Sequence, residues 1–273
     1  MLREDYHVHC LNSPDSKEPL EMICQGAVEA GIREIMVTDH YELFKDTDKH
    51  PPYRREYLDK CAQSVRECRE KFAGKLRVGL GIELGQWHLQ PEAAALVVKN
   101  YPFDYVIGSF HKIDDRDLKL FRYQDMDCKA LLRRYLEELL LIAAQGDFDC
   151  MAHLDLIKRY AAGQGVTIRA EDEEELVREI LKTLVKRGKG LEVNTSGLRQ
   201  EVKETFPSET ILRWYREEGG TVLTVGSDAH RKQDVGAGFA EAKALISALG
   251  FSYISHFCQR EMTMKKIEGD GGD

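Results

Sequence analysis

Short apolar runs alternate along this chain with longer segments of helical spacing. The strand candidates are residues 5–9, 34–40, 77–84, 104–111, 148–154, 190–195 and 221–228, with apolar stretches such as IMVT, VGLGI, YVIG, LEV and VLTV. Several lack strict alternation of apolar and polar positions, the pattern of strands buried on both faces. Between them lie amphipathic patterns. In 171–187, Leu176, Val177, Ile180, Leu181, Leu184 and Val185 recur at helical spacing, acids crowd the first turn, Lys186 and Arg187 close the last, and Gly188 follows as a C-terminal cap. Segments 18–30, 56–72, 91–99, 126–144, 208–218 and 238–249 complete the predicted helices.

Strand alternating with helix implies parallel pairing through crossover helices. Seven such units in 273 residues predict a single α/β domain, a distorted TIM-like (β/α)7 barrel over residues 1–268. A doubly wound open sheet is the alternative, but no Gly-rich fingerprint follows the first strand. No Pro/Ser-rich linker divides the chain, and the Gly/Asp tail 269–273 is expected to be disordered.

Polar residues concentrate where these strands end. The first ends His7-Val8-His9, the second Asp39-His40, the fourth at His111 and the seventh Asp228-Ala229-His230; the third contains Glu83 and the fifth His153. The sixth ends Asn194-Thr195. Barrel active sites form at the C-terminal ends of the strands, so His7, His9, His40, His111, His153 and His230 are expected on one rim. The remaining histidines, at 50, 88 and 256, fall in loops or terminal segments. Alternate side chains of a strand share a face, so His7 and His9 can hold one ion together, and Asp228 pairs with His230 by the same spacing. Glu83 can bridge two ions through its two oxygens, and Asp15 is a further candidate carboxylate. Imidazole with carboxylate suits Zn, Fe or Mn. A single histidine is more often structural than a ligand, but structural histidines have no reason to gather at one end of successive strands. Asp39 and Asp155 are expected to orient imidazoles rather than to bind metal.

The net charge of −8 argues against a general nucleic-acid surface, while metals or arginines could still reverse the sign locally for an anionic ligand. The seven cysteines form no C-x-x-C pair and read as reduced thiols; Cys61 and Cys68, seven apart on a predicted helix, read as core. The opening MLREDYHVH lacks the features of a secretory leader, and no apolar run is long enough to span a bilayer. The cytoplasm is the expected compartment. No oligomeric state is legible.

The strings HVH at 7–9, SPDS at 13–16, TDH at 38–40, GIELG at 81–85, SFH at 109–111, HLD at 153–155 and SDAH at 227–230 resemble, in order and spacing, the polymerase and histidinol phosphatase (PHP) family. HLDLIKRY at 153–160 and NTSGLR at 194–199 resemble its monofunctional histidinol-phosphatases. The resemblance implies a distorted barrel with three divalent ions. His7, His9, Glu83 and Asp228 would hold one ion, Glu83, His111 and His153 a second, and Asp15, His40 and His230 a third. Some relatives carry histidine in place of Asp15. Cys10 stands where threonine is common and reads as packing.

The resemblance further implies a phosphoric monoester hydrolase acting on L-histidinol phosphate in histidine biosynthesis, through a hydroxide bridging the metals, with Glu83, Asp228 and His230 in the catalytic set. Arg159 and Arg199 are the candidates to clamp the phosphate through their planar forks. Lys112 is a weaker candidate that reads better as a surface residue. Acids at 114–117 could meet the amine or imidazole of the alcohol, though solvated loop acids are the commoner case. The partner implied is a small phosphorylated molecule, with no nucleic acid and no membrane. The competing readings are a PHP nuclease or nucleotide phosphatase, which should show a basic, aromatic-bearing channel, a metal-binding module without turnover, and a metal-dependent amidohydrolase, which the Glu83 bridge and Asp15 fit poorly.

Overall fold

A computed structural model describes residues 2–50 and 54–267. The seven predicted strands form at β1 (Glu4–Val8), β2 (Glu34–Val37), β3 (Arg77–Gly85), β4 (Tyr105–Ser109), β5 (Cys150–Met151), β6 (Gly190–Asn194) and β7 (Leu223–Gly226). They pair in parallel in sequence order. A short strand, His40–Glu42, adds to the end of β3 with His40 opposite Glu83. The ring is completed just beyond β7: the Asp228 amide donates to the His7 carbonyl and the His9 amide to the Ala229 carbonyl, each over 2.8 Å. Buried Asp5 pins this seam by accepting from the Ser227 amide (2.8 Å), the Ser227 hydroxyl (2.5 Å) and the Gly236 amide (2.9 Å). The TIM-like barrel expected from the strand–helix alternation is thus the fold.

The helices are α1 (Leu20–Glu29), α2 (Arg55–Lys71), α3 (Pro91–Asn100), α4 (Cys128–Gln145), α5 (Ile157–Ala162), α6 (Glu174–Lys186), α7 (Glu209–Glu217) and α8 (Phe239–Ala248). They lay their apolar faces on the barrel in one continuous core. Local chemistry sets their ends. Asp127 caps α4 by accepting the Lys129 and Ala130 amides, and Gly188 takes φ +66° after α6, a left-handed turn that costs glycine little. The pattern at 171–187 resolves into a 3₁₀ turn at Ala170–Glu173 and then α6. Cys61 and Cys68 are both buried on α2, as their spacing predicts.

Two sequence readings need correction. The fifth strand is only two residues long, because after the Ala152 amide donates to the Gly108 carbonyl (2.9 Å) the chain turns away at His153, whose φ is +20°. The seventh strand ends at Gly226, and Asp228 follows in a left-handed turn at φ +53°. The terminal segment that carries His256 forms a hairpin of β8 (Tyr253–Cys258) and β9 (Glu261–Lys266), outside the seven predicted strands. Its alternation is masked by the polar content of FCQREMTMKK, and burial of the flanking acids is a tertiary matter. The hairpin closes the end of the barrel opposite the histidines. There, acids at the strand starts meet its basic side chains: Glu4 pairs with Lys265, Glu34 lies 2.9 Å from His256 and Asp149 pairs with Arg260 (3.0 Å). The tail expected to be disordered lies outside the described residues.

Candidate metal centre

At the C-terminal end of the barrel, Glu83 stands fully buried on β3 with histidines around both oxygens. Its Oε2 lies 2.9 Å from His40 Nδ1, 3.3 Å from His7 Nε2 and 3.5 Å from His9 Nε2. Its Oε1 lies 3.0 Å from His153 Nε2 and 3.1 Å from His111 Nε2. Asp228 Oδ1 is 3.3 Å from His9 Nε2 and 3.8 Å from His7 Nε2. Toward solvent, Asp15 Oδ2 is 3.2 Å from both His40 Nε2 and His230 Nε2. All nine residues expected as ligands therefore converge.

His7 and His9 meet through the pleat of β1 and the residue beyond it, with their Nε2 atoms 3.0 Å apart. Asp228 and His230 meet differently. They follow β7 in a turn, and Asp228 Oδ1 and His230 Nδ1 lie 3.6 Å apart, so the alternation argument does not apply to them although the proximity it predicted is present.

A cation fits this arrangement on two grounds. Bonds of about 2.0–2.2 Å in tetrahedral coordination separate donors by about 3.3–3.6 Å, and the donor spacings above scatter around that range. The second ground is proton accounting. His7 Nδ1 lies 2.6 Å from Glu192 Oε1, which places the ring proton there and leaves a lone pair on Nε2. That lone pair faces Glu83 and Asp228, which are acceptors too. Acceptors packed against acceptors in a buried site need a positive charge between them. Without an ion a proton supplies it. Burial disfavours the His7 imidazolium, but Glu192, Glu83 and Asp228 outweigh burial and raise its pKa well above the usual value. His111 is likewise raised to about 9, with Glu42 and Glu83 outweighing burial. His9 is pushed down to about 3 by burial and by His230 and His40. Glu83 and Asp228 are held ionised, because the imidazoles overcome the burial that would otherwise raise them.

The supporting contacts differ from those expected. Asp39 accepts from the Cys10 amide (2.8 Å) and thiol (3.0 Å), and Asp155 pairs with Lys158 (2.6 Å) and accepts the Ser208 amide (3.0 Å). Both tie loops, and neither has an imidazole partner among the described residues. Glu192 and Glu42 take the orienting role instead: Glu42 Oε1 is 2.7 Å from His111 Nδ1, and Ser13 Oγ is 3.0 Å from His9 Nδ1. Glu192 had a sequence signal, a lone acid inside the apolar strand GLEVN. Glu42 had only its position two residues after His40. Cys10 is buried in the core, as its packing reading expects.

Above the centre opens a cavity of about 690 Å³ lined by Glu83, His111, His153, Arg159, Arg199 and Asp228, with Lys112, Asp117 and Asp234 among its further walls. Arg199 donates Nη2 to the Ser227 carbonyl (2.7 Å), and its buried Nη1 has no hydrogen-bond partner among the described residues. Arg159 packs its guanidinium 5.4 Å from the Tyr160 ring. Lys112 is only 15% exposed and stands 3.5 Å from Glu42 Oε2, so the surface reading for it is wrong: the hairpin-like turn after β4 folds it over the mouth. Asp114 turns outward to Lys45 and Arg134, whereas Asp117 reaches the cavity.

A family model described as the PHP domain matches residues 5–196. The chain belongs to the PHP family. Other members are similar over nearly their whole length. The probable histidinol-phosphatase of Clostridium acetobutylicum is 31% identical over 87% of this chain and 90% of the relative. That of Thermotoga maritima is 30% identical over 96% of this chain and 98% of the relative. Among solved structures, the Lactococcus lactis histidinol phosphate phosphatase complexed with zinc, L-histidinol and phosphate superposes with a TM-score of 0.83 at 25% identity, covering 96% of this chain and all of that one. The PHP match ends at Ser196, so Asp228 and His230 enter the site from beyond the matched segment, through the β7 seam.

Proposed function

We propose that this PHP protein is a metal-dependent phosphomonoesterase that hydrolyses L-histidinol phosphate to L-histidinol and phosphate. The observation that carries the reading is Glu83 offering one oxygen to the His7/His9/Asp228 group and the other to the His111/His153 group, at the floor of a cavity walled by Arg159 and Arg199. The relatives over full length and the Lactococcus structure with zinc, histidinol and phosphate support the substrate.

In this reading the nine convergent residues hold three divalent ions. His7, His9, Glu83 and Asp228 serve one, Glu83, His111 and His153 the second, and Asp15, His40 and His230 the third. A donor set of imidazole and carboxylate without thiolate suits Zn, Fe or Mn. When bound, such ions supply Lewis acidity toward water and toward phosphoryl oxygens. Arg159 and Arg199 bind the remaining phosphoryl oxygens by charge-assisted hydrogen bonds. Lys112 adds positive charge at the rim, which lets an acidic protein take an anion. Asp117 and Asp234 on the cavity wall offer carboxylates to the cationic alcohol portion. Glu42 and Glu192 hold imidazoles in place. No helix among the described residues is long and apolar enough to cross a membrane. The unpaired thiols support action in the cytoplasm.

The test is phosphate release by purified protein from histidinol phosphate, nucleoside 3′-monophosphates and a generic aryl phosphate, with metal content measured on the same sample. Preference for histidinol phosphate in metal-loaded protein is expected. A strong preference for a nucleotide would overturn the substrate, and metal-replete protein inactive on all three would overturn the phosphatase reading.

A further inference from the structure

Glu192 is the one charged residue of β6. It is fully buried, projects from the middle of β6, and among the described residues its one ion-pair partner is His7. A lone carboxylate there is costly unless it is used. Its contacts divide between two groups of the centre. Oε1 faces His7 Nδ1 at 2.6 Å, while Oε2 accepts the His153 backbone amide at 2.9 Å and the Asn194 side-chain amide at 3.2 Å. The His153 amide belongs to the residue whose φ of +20° is sparsely populated by non-glycine residues and persists only where surrounding contacts hold it. The next strand makes room: a Cβ on Gly226 would lie 2.4 Å from His7 Cβ and 2.5 Å from Glu192 Oε1.

We propose that Glu192 is a positioning residue that prepares both buried metal groups at once. By accepting a hydrogen bond from the Nδ1–H of His7 it directs the Nε2 lone pair at Glu83 and Asp228. By bonding the His153 amide it holds the backbone turn that swings that ring over the other oxygen of Glu83. The inference rests on the metal-centre reading and adds a role to a strand that supplies no ligand of its own.

Glu192→Gln separates this role from mere filling of space. A glutamine has one acceptor where the carboxylate has two. With its oxygen on His7, its NH₂ opposes the His153 amide, donor against donor. With its oxygen on His153, its NH₂ donates to His7 Nδ1 and forces the ring proton onto Nε2, where the ion should bind. Either way one group is lost or weakened.

The full-length wild type and Glu192→Gln would be stripped and titrated with zinc against a competing chelator. The His7 ring protonation would be read in the zinc-loaded proteins by long-range proton–nitrogen NMR. The variant is expected to bind zinc about 10–100-fold more weakly. The wild type is expected to carry its proton on Nδ1 with a strongly low-field resonance. Equal zinc affinity in a folded variant overturns the role of Glu192 while leaving the metal centre intact. A wild-type chain that takes up no zinc overturns the centre itself. Should Glu192→Gln fail to fold, the zinc-loaded wild type decides: a His7 ring without an Nδ1 proton bonded to a carboxylate overturns the proposal, and one with that proton supports it.

Discussion

At the scale of single residues, the site separates groups that gather ions from groups that hold the ligand. Arg159 and Arg199 belong to the second set. Alanine at either should leave the metal content unchanged and lower kcat/KM for histidinol phosphate by about 10–100-fold, the loss of a charge-assisted hydrogen bond worth about 1.5–3 kcal/mol. Steady-state kinetics with metal analysis checks this, and a fall in bound metal would mean the arginine acts on the centre instead. Glu83→Gln should do the opposite. One amide nitrogen replaces an acceptor between two histidine groups that both need an acceptor, so bound metal should drop together with activity. The nine candidate ligands were legible as residues because each stands at or just past an apolar strand. Glu42, Glu192 and Ser13 were not, because a hydrogen bond to Nδ1 depends on ring orientation, which no local pattern encodes. Asp39 and Asp155 show the converse: adjacency to a histidine in sequence says little about contact when the chain turns between them.

At the scale of elements, helix and strand periods carried most of the assignment, and failures came where elements are short or polar. β5 pairs over two residues, too few to show a period, and β9 is exposed at all six positions, so no buried face marked it. The hairpin of β8 and β9 nonetheless covers the barrel floor through its turn residue. Arg260 reaches both Asp147 (3.0 Å) and buried Asp149 (3.0 Å). Arg260→Ala should destabilise the fold by about 1–3 kcal/mol, chiefly by leaving the buried Asp149 carboxylate without its cation, as read by denaturant unfolding. A pH signature accompanies it. The hydrogen bond from Arg260 outweighs burial and holds the Asp147 carboxyl at about 2. Its folded pKa lies below the unfolded value, so its contribution is present above about pH 4, the ordinary aspartate pKa, and is lost as pH falls through about 2. In the Arg260→Ala protein that acid-side loss should be smaller. Equal acid-side slopes in the two proteins would show that the pair contributes nothing.

At the scale of the whole molecule, the centre joins distant parts of the chain. His7 and Glu192 are 185 residues apart in sequence, and the seam after β7 brings Asp228 and His230 to the first strand. A ligand that binds only this closed arrangement stabilises it by mass action, about 2.7 kcal/mol at a free concentration 100 times its Kd. Zinc should therefore raise the melting temperature in a concentration-dependent way, and a chelator should reverse the gain. A melting temperature indifferent to zinc would argue that the convergent histidines hold no ion.

What the sequence determined by itself is the alternation of buried strands and amphipathic helices, and the kinds of donor placed at the strand ends. Both follow from short-range rules: side chains alternate along a strand, recur every third or fourth residue on a helix, and parallel strands need helical crossovers. Tertiary structure alone decided which nitrogen meets which oxygen, where β5 and β7 stop, and that a carboxylate from the strand without a ligand stands behind His7. Those distances depend on how far each strand is staggered against its neighbours when the barrel closes, a property of all seven strands together.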